Sequence, residues 1–137
     1  MVYNWDSDQV DAVVVTDGSR VLGLGDLGIG GLGISIGKLD LYVAAGGFHP
    51  RYVSVLNFHF SFKYFRRVLP VVIDVGTNNP KLKDDPRYLG DREDRLEGDE
   101  YYELIDEFMA AIKLRWPRAL IQFEDFQSKH AVHLLAR

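Results

Sequence analysis

Cysteine is absent from the 137 residues, which removes disulfide frameworks, thiolate nucleophiles, zinc knuckles and Cys-ligated clusters from consideration. A basic excess is absent too: 16 Lys and Arg stand against 20 Asp and Glu, and the net charge is −4. Affinity for phosphate backbones comes mainly from clustered Lys and Arg, so no nucleic-acid partner is expected. No apolar run reaches the roughly 18 to 20 residues that span a bilayer, and Met1-Val2-Tyr3-Asn4-Trp5-Asp6 carries no basic stretch or long apolar core of a leader. The expectation is a soluble chain that does not enter a membrane. What is present is apolar material, 47% of the residues, enough for one compact domain and little more.

That material is arranged in alternating patterns. Asp11 to Gly18 contains a β-branched run, Ala12-Val13-Val14-Val15-Thr16, closed by the turn dipeptide Asp17-Gly18. Val68 to Gly76 repeats the pattern, with Pro70 tolerable only at a strand's beginning, and Ala119 to Phe123 supplies a third. All three are continuous rather than alternating, as strands buried on both faces are. Between them, residues 34–45 place Ile36, Leu39, Tyr42 and Val43 at helical spacing before Gly46-Gly47. Residues 99–115 place Tyr101, Leu104, Ile105, Phe108 and Ile112 on one stripe, with acids in the first turn, Lys113 and Arg115 in the last, and Pro117 as the stop. A third helix is expected at the chain's end. This β-α-β-α-β-α order predicts an α/β fold, a parallel sheet with flanking helices, and a three-stranded sheet with an exposed edge points to an incomplete piece of a larger unit. Ligands in such sheets gather at the carboxyl ends of the strands. Those ends carry Thr16 to Arg20, Gly76 to Asn79, and Glu124-Asp125.

Three motifs nearly match known sites. Gly23-Leu24-Gly25-Asp26-Leu27-Gly28 spells GxGxxG, yet it does not follow the first strand directly, and Gly30, Gly31 and Gly33 each weaken the helix it should open by about 1 kcal/mol. A glycine-rich loop allowing close backbone approach is the better reading. Gly33-Ile34-Ser35-Ile36-Gly37-Lys38-Leu39 lacks the first glycine and the Ser/Thr of a P-loop, so by spacing alone Lys38 reads as a solvated helix lysine. His130 and His133 sit three apart with no evident third ligand and read as ordinary surface residues. Glu124-Asp125 leaves two readings open: a solvated turn, or a pair of oxygen ligands suited to Mg²⁺ or Mn²⁺.

Taken in order, Val15-Thr16-Asp17-Gly18-Ser19-Arg20-Val21-Leu22-Gly23-Leu24-Gly25-Asp26-Leu27-Gly28, Gly37-Lys38-Leu39, Ile73-Asp74-Val75-Gly76-Thr77-Asn78-Asn79, Ile105-Asp106-Glu107-Phe108-Met109 and Ile121-Gln122-Phe123-Glu124-Asp125-Phe126 resemble the malic enzyme family. Tyr3-Asn4-Trp5, Arg115-Trp116-Pro117 and Phe126-Gln127-Ser128-Lys129 resemble its NAD-using eukaryotic branch. The resemblance implies oxidative decarboxylation of malate to pyruvate and CO2, with NAD or NADP and with Mg²⁺ or Mn²⁺. It implies that Arg20 binds a substrate carboxylate and the cofactor, that Lys38 is the general base, its pKa lowered by Arg20 and the metal, and that Glu124 and Asp125 are metal ligands. It places residues 1–137 in the N-terminal substrate and metal domain as a central fragment, with the NAD-binding Rossmann domain and a third metal carboxylate downstream and a proton-donating tyrosine upstream. The same resemblance implies a homo-oligomer for the full-length protein and favours a mitochondrial over a cytoplasmic location. The alternative is a non-catalytic α/β unit that binds only a metal, a carboxylate or a partner chain.

Two departures from the family pattern bear on Lys38: Ser35 stands where proline is usual, and Gly30 where a larger residue is usual. Residues 52–66 form an atypical apolar insertion between Arg51 and Arg67, rich in Phe and Val. It reads either as an extra strand or membrane-touching loop, or as a retained short intron, since Arg51-Tyr52-Val53 and Tyr64-Phe65-Arg66 can be encoded by splice-like sequences.

Overall fold

The computed structural model describes residues 2–5, 7–48 and 68–136; the expected insertion at 52–66 lies outside them. The strands are β1 (Ala12–Thr16), β2 (Val68–Val72) and β3 (Leu120–Phe123). They form one parallel sheet in the order β2-β1-β3. The helices are α1 (Leu32–Ala45), a single turn α2 (Pro80–Lys83), α3 (Gly98–Arg115) and α4 (Ser128–Leu135). The fold is therefore the expected α/β arrangement of parallel strands and flanking helices.

The period-2 side-chain alternation of a strand explains how one short run serves two layers. Every residue of β1 is buried. Its Ala12 and Val14 pack with Leu39 of α1 and Val68. Its Val13 and Val15 face the larger core built by Tyr101, Ile105, Phe108 and Ile112 of α3 and by Leu134 of α4. The predicted stripe of α3 is the buried one, except that Leu104 is only partly covered. On α1 the fully buried pair is Ser35 and Leu39 rather than the wider apolar set, and the Ser35 hydroxyl donates to the Val71 carbonyl at 3.1 Å. Ser35 thus ties α1 to β2 one turn before Lys38.

Three expectations need correction. Pro70 is mid-strand, opposite Val14; β2 lies at an edge of the sheet, where a missing N–H costs no ladder bond on the open side. The strand also stops at Val72, although the Ile73 amide still donates to the Thr16 carbonyl of β1 at 2.9 Å. β3 is not buried on both faces: Leu120 is exposed and the other three residues are partly covered. Its Ile121 and Phe123 pack against the core that α3 builds, while Gln122, on the other face, accepts from the Tyr42 hydroxyl of α1 at 3.3 Å. Finally, His130 is no surface residue. It is buried, its ring stacked on Tyr101 at 4.2 Å and its Nδ1 3.1 Å from the Tyr102 hydroxyl. His133 is exposed, as expected.

Candidate functional site

The carboxyl end of β1 turns sharply. The Thr16 hydroxyl accepts from the Gly18 amide and the Asp17 carboxylate accepts from the amide and hydroxyl of Ser19. Gly18 has φ +64°, and a Cβ there would lie 1.9 Å from the Gly28 carbonyl oxygen. Close backbone approach is thus required at Gly18, whereas Gly23 and Gly25 of the near-GxGxxG have positive φ but open space around them, and the Leu27 amide closes the loop on the Gly18 carbonyl at 3.0 Å. After Ser19 the chain runs outward through exposed Arg20, then folds back where Val21 and Gly25 bridge.

This loop is one wall of a cleft of about 420 Å³; the other wall is Asp125, Phe126 and Ser128, at the start of α4. The two are stitched together. The Arg20 amide donates to the Asp125 carbonyl at 3.3 Å, the Leu22 amide to the Asp125 carboxylate at 3.4 Å, and Arg20 Nη1 to the Ser128 hydroxyl at 3.4 Å. The Gln127 amide donates to Ser19 Oγ. Among the described residues Asp125 alone combines a side chain with a left-handed backbone, at φ 56°. Such a conformation costs roughly 1 kcal/mol or more and persists where the surroundings enforce it, often at functional sites.

Glu124, on the preceding residue, points the other way. Its Oε1 lies 3.0 Å from Lys38 Nζ of α1 and its Oε2 accepts from Gln122. The structure therefore brings all four expected residues to the same end of the sheet, as two linked pairs: Lys38 with Glu124, and Arg20 with Asp125. Lys38 is not the free solvated lysine that spacing suggests. Its pKa is raised above the ordinary lysine value, first by the hydrogen bond to Glu124 and then by that carboxylate's charge, with Asp125 adding a smaller pull. The neighbour that acts most on its charge in this arrangement is Glu124.

Two adjacent carboxylates supply hard oxygen donors of the kind Mg²⁺ and Mn²⁺ take. They suit such an ion in kind, but as arranged Glu124 is turned to Lys38 and Asp125 to the Leu22 amide, and among the described residues no third His, Asp or Glu joins them in a group able to hold a metal.

Residues 1–137 match the malic enzyme N-terminal domain family. The chain belongs to the malic enzyme family. It is 59% identical over its whole length to NAD-dependent malic enzyme 1, mitochondrial, of Arabidopsis thaliana and 61% to NAD-dependent malic enzyme, mitochondrial, of Solanum tuberosum, covering 20% of each. It is 53% identical, again over its whole length, to the NAD-dependent malic enzyme of Pectobacterium carotovorum, covering 22% of that protein. The chain thus spans about a fifth of the length of these malic enzymes. No helix among the described residues is long and apolar enough to cross a membrane.

The same end of the sheet also contains groups that sequence reasoning passed over. Arg95 is buried and its guanidinium grips Asp26 through Nε and Nη2, at 3.0 and 2.7 Å, while Nη1 donates to the Asp17 carbonyl at 3.0 Å. Burial alone would raise the Asp26 pKa; the Arg95 fork and the amides of Asn78 and Gly28 outweigh it and hold the carboxyl below its ordinary value. Tyr101 donates to the other Asp17 oxygen at 2.9 Å, and burial, then the Asp17 charge, push its pKa upward. The one local signal was an acid, Asp26, inside an otherwise apolar glycine loop. Its partner is 69 positions away in sequence, where no periodicity points.

Proposed function

We propose that this chain supplies the malate-facing and metal-facing part of an NAD-dependent malic enzyme, which converts malate to pyruvate and CO2. The observation that carries the reading is the meeting of Lys38 and Glu124 at 3.0 Å, beside an Arg20 and Asp125 that share one cleft wall-to-wall. Arg20, exposed and only weakly engaged by Ser128, offers a planar fork of donors to a carboxylate of malate. Lys38, ion-paired with Glu124, would take the proton from the malate hydroxyl as general base in its neutral form, which requires that this ion pair first be released. Glu124 and Asp125 would hold Mg²⁺ or Mn²⁺, which when bound supplies Lewis-acid polarisation of the substrate oxygens. Asp125, fixed by its backbone and by the Leu22 amide, presents its carboxylate without the entropy of a free side chain. NAD is the cofactor that the names of the relatives support, and the mitochondrial names among them support a mitochondrial location.

The test is a graft. Residues 1–137 replace the matched segment of the Arabidopsis relative, and NADH formation from malate with Mn²⁺ and NAD is followed. Turnover that is abolished by Lys38→Ala is expected. A graft whose turnover survives both Lys38→Ala and Arg20→Ala overturns the assignment.

A further inference from the structure

We infer that Arg95 is a positioning residue for carboxylate binding, because its single guanidinium fastens both ends of the loop that carries Arg20. This rests on the carboxylate reading of the cleft given above and names what sets the geometry of that site. The loop leaves the sheet at Asp17 and is anchored again at Asp26. Arg95 Nη1 holds the first end through the Asp17 carbonyl, and Nε with Nη2 holds the second through both oxygens of Asp26. The Arg95 side chain is 5% exposed and is not part of the cleft lining, so it acts on a ligand only through the loop.

Between the two anchors the loop is held at 3.3 and 3.4 Å by the Arg20 and Leu22 amides on Asp125, and its tip is otherwise loosely covered. Residues 22–25 are exposed, Gly23 and Gly25 have positive φ with open space around them, and the Val21 to Gly25 bridge closes only the tip. Where Arg20 stands is therefore set jointly by its own contacts with Asp125 and Ser128 and by the two anchored ends, which Arg95 fastens. The latch is tied in turn to the segment after β2: the Asn78 amide donates to Asp26, the Asn79 side chain donates to the Asp26 carbonyl, and the Arg95 amide donates to Asn78 Oδ1. A planar fork serves three acceptors in fixed directions at once; a lysine keeps the charge but reaches one end only.

The experiment is titration of the full chain with L-malate, followed by NMR at the Arg20 Nε–H and the loop amides, with melting measured in parallel. The comparison set is Arg95→Lys, Asp26→Asn and Ile105→Val, the last trimming a fully buried core side chain of α3. Malate is expected to shift the Arg20 resonance in the wild type, with Kd raised tenfold or more in Arg95→Lys and in Asp26→Asn and less than twofold in Ile105→Val. If Ile105→Val weakens malate as much as the latch variants do at a similar loss of melting temperature, the effect is general softening and the inference is overturned. Folded Arg95→Lys and Asp26→Asn with wild-type Kd overturn it as well. A wild-type chain that binds no malate overturns the carboxylate reading, and this inference with it, which sets that failure apart from the others.

Discussion

Two ion pairs at the same end of the sheet are built in opposite ways. Arg95 and Asp26 are 5% and 16% exposed and nearly every polar atom they own is spoken for: the fork on the carboxylate, the Asp17 carbonyl, the amides of Gly28 and Asn78. Lys38 and Glu124 are 32% and 19% exposed and hold one another by a single contact at 3.0 Å. An ammonium has three donors and a carboxylate about four acceptor sites, so the second pair keeps capacity for a ligand that the first has used up. The difference teaches that charge alone does not mark a site. A closed pair is a fastener, and an open pair beside a cleft is where chemistry can enter.

The largest effect should come from breaking the closed pair. Arg95→Ala leaves the Asp26 carboxylate uncompensated in a partly buried place, and unfolding of the full chain in urea should show a loss of about 3–5 kcal/mol; a loss under 1 kcal/mol would mean the pair is wetter than its geometry. Next comes the open pair. In the grafted enzyme Lys38→Ala should lower kcat at least 100-fold, about 2.7 kcal/mol of barrier, while melting stays near that of the parent. An unchanged kcat would return Lys38 to the solvated lysine that its spacing suggests.

A smaller effect is expected at His130, which borders the closed pair's network through Tyr101. Burial, then Lys129, lowers its pKa from 6.5 against the opposing pulls of Asp17 and Glu97. The folded state therefore binds the proton less readily than the unfolded one. Its contribution to stability is fully present above about pH 6.5 and is lost as pH falls through the lower folded value. Stability of the wild type measured between pH 7.5 and 5 should decline, and His130→Phe should flatten that decline; parallel curves would remove His130 as the cause. The smallest effect belongs to the exposed pair of Lys129 with Glu97 at 2.7 Å. Glu97→Gln should leave melting unchanged within error, and a clear drop would show that α4 depends on a surface contact.

Much was legible in the linear order of residues. Local patterns announced all three strands, the long helix with its charged ends and its stop at Pro117, and the parallel α/β class, because periodicity and turn chemistry are properties of neighbours in sequence. Arg20, Lys38, Glu124 and Asp125 were recognised by their place in ordered blocks, and strand-end position alone already singled out the acidic pair. The tertiary structure decided the rest. It paired Lys38 with Glu124 and so set the direction of the lysine's pKa. Stacking on Tyr101 buried a histidine that spacing read as exposed, and β2 at an edge could carry Pro70 in mid-strand. Arg95 was closed over Asp26 and Asp17 across 69 and 78 positions. Each of these turns on which distant groups become neighbours, and burial and charge act through space, so no local pattern in the chain could carry them.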